Sequence, residues 1–531
     1  MNYTNAFSTK VTPQNEQIPG TNQVANSAGG FSWQLDAWKR LDRFLVLGSE
    51  GGTYYIGERQ LTIENAKNVL DCLKADGTRL VKRVVEISDG GRAPKNEAAL
   101  FCLALACGLG DTATKSSALD ALPKVARYAT DLFKFVNYVN NFRGWGRGLR
   151  NGIAKWYTGK TDDALAYQLV KYRSRSVFGK TWSHVDLLRL GHPKPVNDVQ
   201  HALFKWVAKQ EVSDNMSKLV QDFLRVQKAE SSNDVLAIVR DNASITWEMI
   251  PTEHVTPEVW DALLPNIKLT ALIRNLARLT ANGVLAPLSA SCKVVTDLLD
   301  DATSLKKARI HPISVLGALR TYGMGHGVRG SLSWQPVAQI IDALDSAFYA
   351  SFGNVESTGQ RWNLALDVSG SMEWGEIAGM PGLTPRVASA ALALITAAVE
   401  KQYTMTAFSH EMVPVCISPR QRLDDAIEAV SGLPFGGTDC SLPMLWALEK
   451  KVEIDTFVIY TDSETWAGVI HPVQALQKYR DKMGIPARLV VVGMTSNGFT
   501  IASPDDAGML DVVGFDTATP QLISDFSRGV A

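Results

Sequence analysis

The chain has 531 residues, 46% of them hydrophobic and 20% charged, with 54 basic and 54 acidic side chains and a net charge of zero. That length exceeds one ordinary core and points to at least two domains. The composition excludes a disordered or fibrous protein, and no apolar run approaches the roughly 18–20 residues that span a bilayer. The zero hides an asymmetry: residues 361–531 hold 20 acidic and 12 basic side chains, which leaves 34 acidic and 42 basic in residues 1–360. A basic first part and an acidic second part hint at a polyanion partner for the first.

In chain order, residues 1–29 are polar and rich in Asn, Gln, Thr and Gly, with no basic start followed by an apolar segment. They read as a flexible tail and not as a signal peptide. From 30 to about 350 the dominant period is helical, as in TIENAKNVLDCLKADG (62–77), EAALFCLALACGLG (97–110), LTALIRNLARLTANG (269–283) and PVAQIIDALDSAFYASF (336–352). Such a succession predicts stacked helix pairs of HEAT type or one large irregular helical domain; no clean repeat decides between them. The six cysteines form no CxxC pair and read as reduced, buried thiols of a cytosolic protein.

Within this helical part, Arg143, Arg147, Arg150, Lys155, Lys160, Lys171, Arg173, Arg175, Lys180, Arg189 and Lys194 face only Asp162, Asp163 and Asp186 in the stretch 143–194. Lys171 and Arg175 are four apart, which on a helix puts both on one face. Trp145, Trp156, Tyr157, Tyr172, Trp182, His184 and His192 interleave the bases. Cations for phosphates and flat rings for unpaired bases are the ingredients of RNA recognition, with a merely solvated face as the plain alternative.

After about 360 the texture changes. Apolar runs WNLALDV, YTMTAFS, DTFVIYTD and ARLVVVGM alternate with helical ones such as RVASAALALITAAVEK and HPVQALQKYRDKM. This order predicts a mostly parallel, doubly covered sheet with its ligand site at the carboxyl ends of the strands. The first run ends in Asp367-Val368-Ser369-Gly370-Ser371-Met372, a later loop reads Gly436-Gly437-Thr438-Asp439, and another strand ends in Thr461-Asp462. By itself DVSGSM could be the capped start of a helix. With Thr438 and Asp462 it becomes an oxygen-only set of donors, Asp367, Ser369, Ser371, Thr438 and Asp462, suited to a hard divalent cation, Mg²⁺ first and Mn²⁺ or Ca²⁺ next. The chain has no phosphate-binding GxxxxGK[ST] loop and no GxSxG elbow. Hydrolysis therefore ranks below binding, although Glu464 and Asp439 lie where they could polarise a water.

The DxSxS…T…D set resembles the metal-ion-dependent adhesion site (MIDAS) of von Willebrand factor A domains, in which those five residue types surround the ion. Together with GSEGGTYYI (48–56), WSHVDLLRLGHPKP (182–195), ARIHPISVLGALRTYGMGHGVRG (308–330) and GGTDCSLPMLWA (436–447), it identifies the chain as similar to the Ro ribonucleoprotein family, in a bacterial-type member. The resemblance implies a tail (1–29), a HEAT-like helical-repeat ring termed TROVE (30–358) and an α/β von Willebrand factor A domain (359–531). It also implies a monomeric, non-enzymatic cytoplasmic protein that binds Y RNA on a basic outer face and admits single-stranded ends of misfolded RNA into a central hole. In this picture it works in RNA quality control with a partner exoribonuclease, or, alternatively, as a metal-dependent protein-interaction scaffold. The family's Y RNA contacts map onto Lys171, Arg175 and His192, with Arg143, Arg147, Arg150, Arg173 and His184 around them. The segment 176–181 is a few residues longer than the family's usual link.

Overall fold

Most helices of the first part bury one apolar stripe, and Glu97–Leu109 is buried nearly all round; the chain packs these surfaces against one another in sequence order. The computed structural model describes residues 11–50, 52–177, 180–327, 331–352, 355–380, 382–434 and 436–530, except for the side chains of 174–180 and 379. Helices run from Ala37–Leu47 through Ala338–Ala350. The long helix Glu58–Asp89 is two helices in register, because Asp76 leaves helical geometry (φ −161°, ψ 94°) and its carboxylate accepts from the Arg79 amide at 2.8 Å, as a cap does. Contacts pass from each helix to near neighbours in the chain, as expected of stacked pairs.

The series returns to the α/β part at both ends. At the first, Arg43, fully buried, reaches Asp511 at 2.5 Å and donates to Asn497 Oδ1 and the Phe499 carbonyl. A Cβ at position 493 would lie 2.4 Å from that guanidinium, so Gly493 leaves room for it. Arg92 clamps Asp516. At the last, Asp342 pairs with Arg422 and Asp345 accepts from the Leu423 amide at 3.0 Å. The helical path is therefore a closed circuit through the α/β part.

That part carries a six-stranded sheet ordered Met509–Val513, Arg488–Gly493, Thr456–Thr461, Arg361–Asp367, Gln402–Phe408, Met412–Val413. The first five are parallel and the last is an antiparallel edge, which makes the sheet mixed. Alternate residues feed two cores: Leu364 and Leu366 join helices 385–399 and 423–431, whereas Ala365 faces helices 442–449 and 472–483, the two-residue period of a doubly covered strand. The chain leaves Arg361–Asp367 to one side and later returns on the other, so the strand-order reversal lies at Asp367.

The flexible-tail expectation fails for residues 11–29. Gln14 is wholly buried and donates to Asp439 Oδ1 at 2.7 Å and to the Ile470 carbonyl, while Phe31–Gln34 adds an antiparallel strand to Phe499–Thr500. Polar side chains here replace apolar ones as the anchor, which a reading of hydropathy misses. Of the cysteines, all six are free and five are buried, but Cys416 is exposed. No described helix is long and apolar enough to cross a membrane.

Candidate functional site: an oxygen-lined loop cluster and a basic helical face

Backbone hydrogen bonds draw two strand-end loops together with the loop that joins helices 423–431 and 442–449, which is therefore not the strand-end loop its sequence suggested. The Gly370 amide donates to the Gly436 carbonyl at 3.2 Å, and the Trp466 and Ala467 amides both donate to the Thr438 carbonyl at 3.0 Å. The glycine pair permits this approach: a Cβ at Gly436 would collide with the His410 ring and one at Gly437 with Trp466. DVSGSM does not cap a helix. It leads into a four-residue 3₁₀ turn, Gly370–Glu373, in which Ser369 makes no side-chain cap bond. Instead the Asp367 carboxylate accepts from the Ser369 amide at 2.9 Å and from the Thr461 hydroxyl at 2.6 Å, and the Ser369 and Ser371 hydroxyls lie 3.2 Å apart.

Asp367, Ser369 and Ser371 thus lie together with the Thr438 and Asp462 loops drawn in beside them, and none of the five is more than 4% exposed. Burial, followed by the charges of Asp367 and Glu464, pushes Asp462 up to about 8, and burial likewise raises Asp367 and Glu464. The Arg386 guanidinium, 1% exposed, eases the field at Asp367 and pairs with Glu373 at 2.9 Å. Three sequestered carboxylates beside a single arginine leave negative charge that a cation would offset. Among the described residues no three His, Cys, Asp or Glu side chains form a metal-binding group, so an ion here would depend on the hydroxyls, a donor set that fits Mg²⁺.

Sequence reasoning missed three participants. Thr461 orders Asp367, and Asn497 donates to the Asp462 carbonyl and to Glu464. Tyr55, from the helical part, lies beside Ser371 and near Asp462 and Glu464. Glu464, expected only as a possible water-polarising group, is held by the Ser27 amide at 2.7 Å. Only the GSEGGTYYI stretch gave a signal for Tyr55, and its partner is more than 300 residues away.

The basic face is less uniform. Lys171 and Arg175 do not share a helix face: the helix Asp162–Lys171 ends at Lys171, and Ser174–Val177 pairs with Lys180–Ser183 as an antiparallel hairpin. Segment 176–181 falls in this hairpin, apart from 178 and 179, which lie outside the described residues. The side chain of Arg175 lies outside the described residues. Lys171 is only 10% exposed, 3.3 Å from Glu248, and donates to the Tyr167 hydroxyl at 2.9 Å.

His184 is a core residue, 2% exposed, its ring nitrogens bonded to the Tyr157 hydroxyl and the Gln168 carbonyl. Burial lowers it to about 4. Trp156, Tyr157 and Trp182 are also core, not stacking platforms. Arg143 is half-buried and caps the Cys107 carbonyl at 3.0 Å.

Exposed, as expected, are Arg147, Arg150, Arg173 and His192. His192 closes the helix His184–Gly191 in a left-handed conformation, φ 46°. A Cβ on its neighbour Gly191 would lie 3.8 Å from the Arg150 carbonyl, so the end of this helix lies against the backbone at Arg150. At the other end of that helix the His184 amide meets the Arg173 carbonyl, so Arg173 and His192 mark a stretch of about 12 Å along eight helical residues.

Two family descriptions match this chain: the TROVE domain over residues 24–239 and 239–321, and the Ro60 vWA domain over 361–527. The chain is 40% identical, over 97% of both sequences, to a Deinococcus radiodurans protein named RNA-binding protein RO60. It is 33% identical to a Caenorhabditis elegans protein of the same name, over 98% of this chain and 92% of that one. The crystal structure of the Deinococcus radiodurans RO (RSR) protein matches with a TM-score of 0.70 at 39% identity, covering 93% of this chain and 100% of that one. A basic helical circuit closed by a von Willebrand factor A domain, matched end to end by these relatives, makes the chain a member of the Ro60 family.

Proposed function

We propose that this protein binds RNA without catalysing its chemistry. It takes small non-coding Y-type RNA across the exposed basic face and single-stranded ends of misfolded RNA inside the helical circuit, and serves RNA quality control in the cytoplasm beside a partner exoribonuclease. The observation that carries the reading is the start of the helix Arg147–Thr158. Arg147 and Arg150 stand exposed in its first turn and the turn after, with no acidic residue in the first turn and no side-chain cap. Cations at the positive end of a helix repel it, and an RNA phosphate there relieves both. The name of the relatives, RNA-binding protein RO60, supports the same reading. Gel-shift titration of a Y-type RNA at increasing salt tests it: a steep log–log fall of affinity is expected, and salt-independent or absent binding overturns it.

A second reading concerns the oxygen-lined site. Asp367, Ser369, Ser371, Thr438 and Asp462 would hold a divalent cation, Mg²⁺ first, which supplies positive charge and open coordination positions when bound. The three buried carboxylates favour it. The role is architectural or adhesive, as in a protein-interaction scaffold. Isothermal titration with Mn²⁺ tests it, and identical heats from Asp367→Ala and unaltered protein would remove it.

A further inference from the structure

The ion site is not lined by one domain alone. Residues 52–57 of the helical part form a tight turn, in which the Thr53 amide donates to the Ile56 carbonyl at 2.8 Å and the Ile56 amide to the Thr53 hydroxyl at 3.0 Å. This turn lies against the loop that follows DVSGSM. A Cβ on Gly375 would stand 3.2 Å from the Gly52 carbonyl, and the Tyr54 ring meets Trp374 edge-on at 6.0 Å, with Tyr55 packed on Tyr54 at 4.9 Å. From this platform the Tyr55 side chain comes up beside Ser371 and near Asp462 and Glu464, whose charges, after burial, raise the pKa of its hydroxyl; the Ser371 hydroxyl is itself 3.2 Å from Ser369 Oγ.

We propose that Tyr55 is the helical part's own contribution to the ion site, a neutral oxygen that fills the outward side, so that cation binding fastens the turn 52–57 to the α/β part. The inference rests on the ion reading above. Charge decides between a phenol and a partner's carboxylate at this place. Asp367, Asp462 and Glu464, all buried, and Glu373, paired with Arg386, already set four carboxyl groups against that arginine and one divalent cation. A further carboxylate would add an uncompensated buried charge, which is costly. A phenol adds an oxygen and a proton donor and no charge.

The second anchoring segment agrees. The Ser27 amide holds Glu464 and Asn26 Nδ2 donates to the Thr465 carbonyl at 2.8 Å, so residues before the first helix also lie at this cluster. An ion here strengthens the closure of the circuit and does not wait for an external acidic ligand.

The test uses the full chain with Mn²⁺ as probe. Titration calorimetry compares unaltered protein, Tyr55→Phe and Asp367→Ala, and amide hydrogen exchange follows residues 48–57 with and without Mn²⁺. Tyr55→Phe removes one hydroxyl and is expected to weaken Mn²⁺ binding about fivefold. Mn²⁺ is expected to slow exchange in 52–57 of unaltered protein and to do so less in the variant. Equal Mn²⁺ affinity of Tyr55→Phe and unaltered protein overturns the role of Tyr55 while leaving the ion site standing. Equal affinity of Asp367→Ala and unaltered protein overturns both. If Tyr55→Phe does not fold, the exchange data on unaltered protein decide: no Mn²⁺-dependent slowing in 52–57 overturns the proposal.

Discussion

The oxygen-lined cluster and the basic face were read from the same kind of clue, a run of chemically apt residues, yet they fared differently in three dimensions. Four donors of the cluster come from the ends of strands and Thr438 from the loop between two helices, places where side chains do not have to fill a core. The residues of the basic face come mainly from helices, each of which must bury a stripe whatever its chemistry. His184, Trp156 and Tyr157 were spent on that stripe, Trp182 on the buried side of the hairpin, and Arg143 on a helix end. A motif at strand ends keeps its residues for a site, whereas a charge cluster along helices divides them between surface and core.

The largest effect expected from that division is on stability. His184 takes a proton at about 4 when folded, against 6.5 for the free side chain. Between those values the unfolded chain binds more protons, so its contribution is at its best above pH 6.5 and is lost as pH falls toward 4, by about 3 kcal/mol. Denaturant unfolding across that window, with Mg²⁺ present, should show a steeper loss than in His184→Gln, which cannot titrate; equal slopes would return His184 to the surface. Asp367→Ala should weaken Mn²⁺ binding by about 100-fold or more, beyond what outer-sphere changes cost, and leave RNA affinity within about twofold. Loss of RNA binding in that variant would merge the two sites into one.

Arg147→Glu combined with Arg150→Glu should lower Y-type RNA affinity by about tenfold and flatten the salt dependence by about two phosphate contacts, with thermal stability unchanged. Smallest is the effect of Glu248→Gln. Because Glu248 competes for Lys171, its neutral analogue should raise RNA affinity about two- to threefold, and a fall instead would mean that the pair orients Lys171 for RNA.

Much of the architecture was legible in the residues. The alternation of WNLALDV, YTMTAFS, DTFVIYTD and ARLVVVGM with helical runs placed four of the sheet's strands where the chain forms them, because period two and period 3.6 burial are local properties. The turn from helix to hairpin after Lys171 was not legible. LVKYRSR continues a helical spacing, and only the cross-strand register Arg175↔Trp182, which buries Trp182 against the helical core, outweighs it.

Sequence alone determined the two-part plan, the basic and acidic parts, and the set of five oxygen donors in loops of the second part, since each follows from composition, period or spacing along the chain. Tertiary structure alone decided that Gln14, Ser27 and Tyr55 converge on the loops that carry those donors from the other end of the chain, that Arg43 locks against Asp511, and that Lys171 is held by Glu248. These contacts join residues separated by 77 to several hundred positions. No local preference encodes them, because a buried polar group is satisfied by whatever partner the closed circuit brings within hydrogen-bond reach.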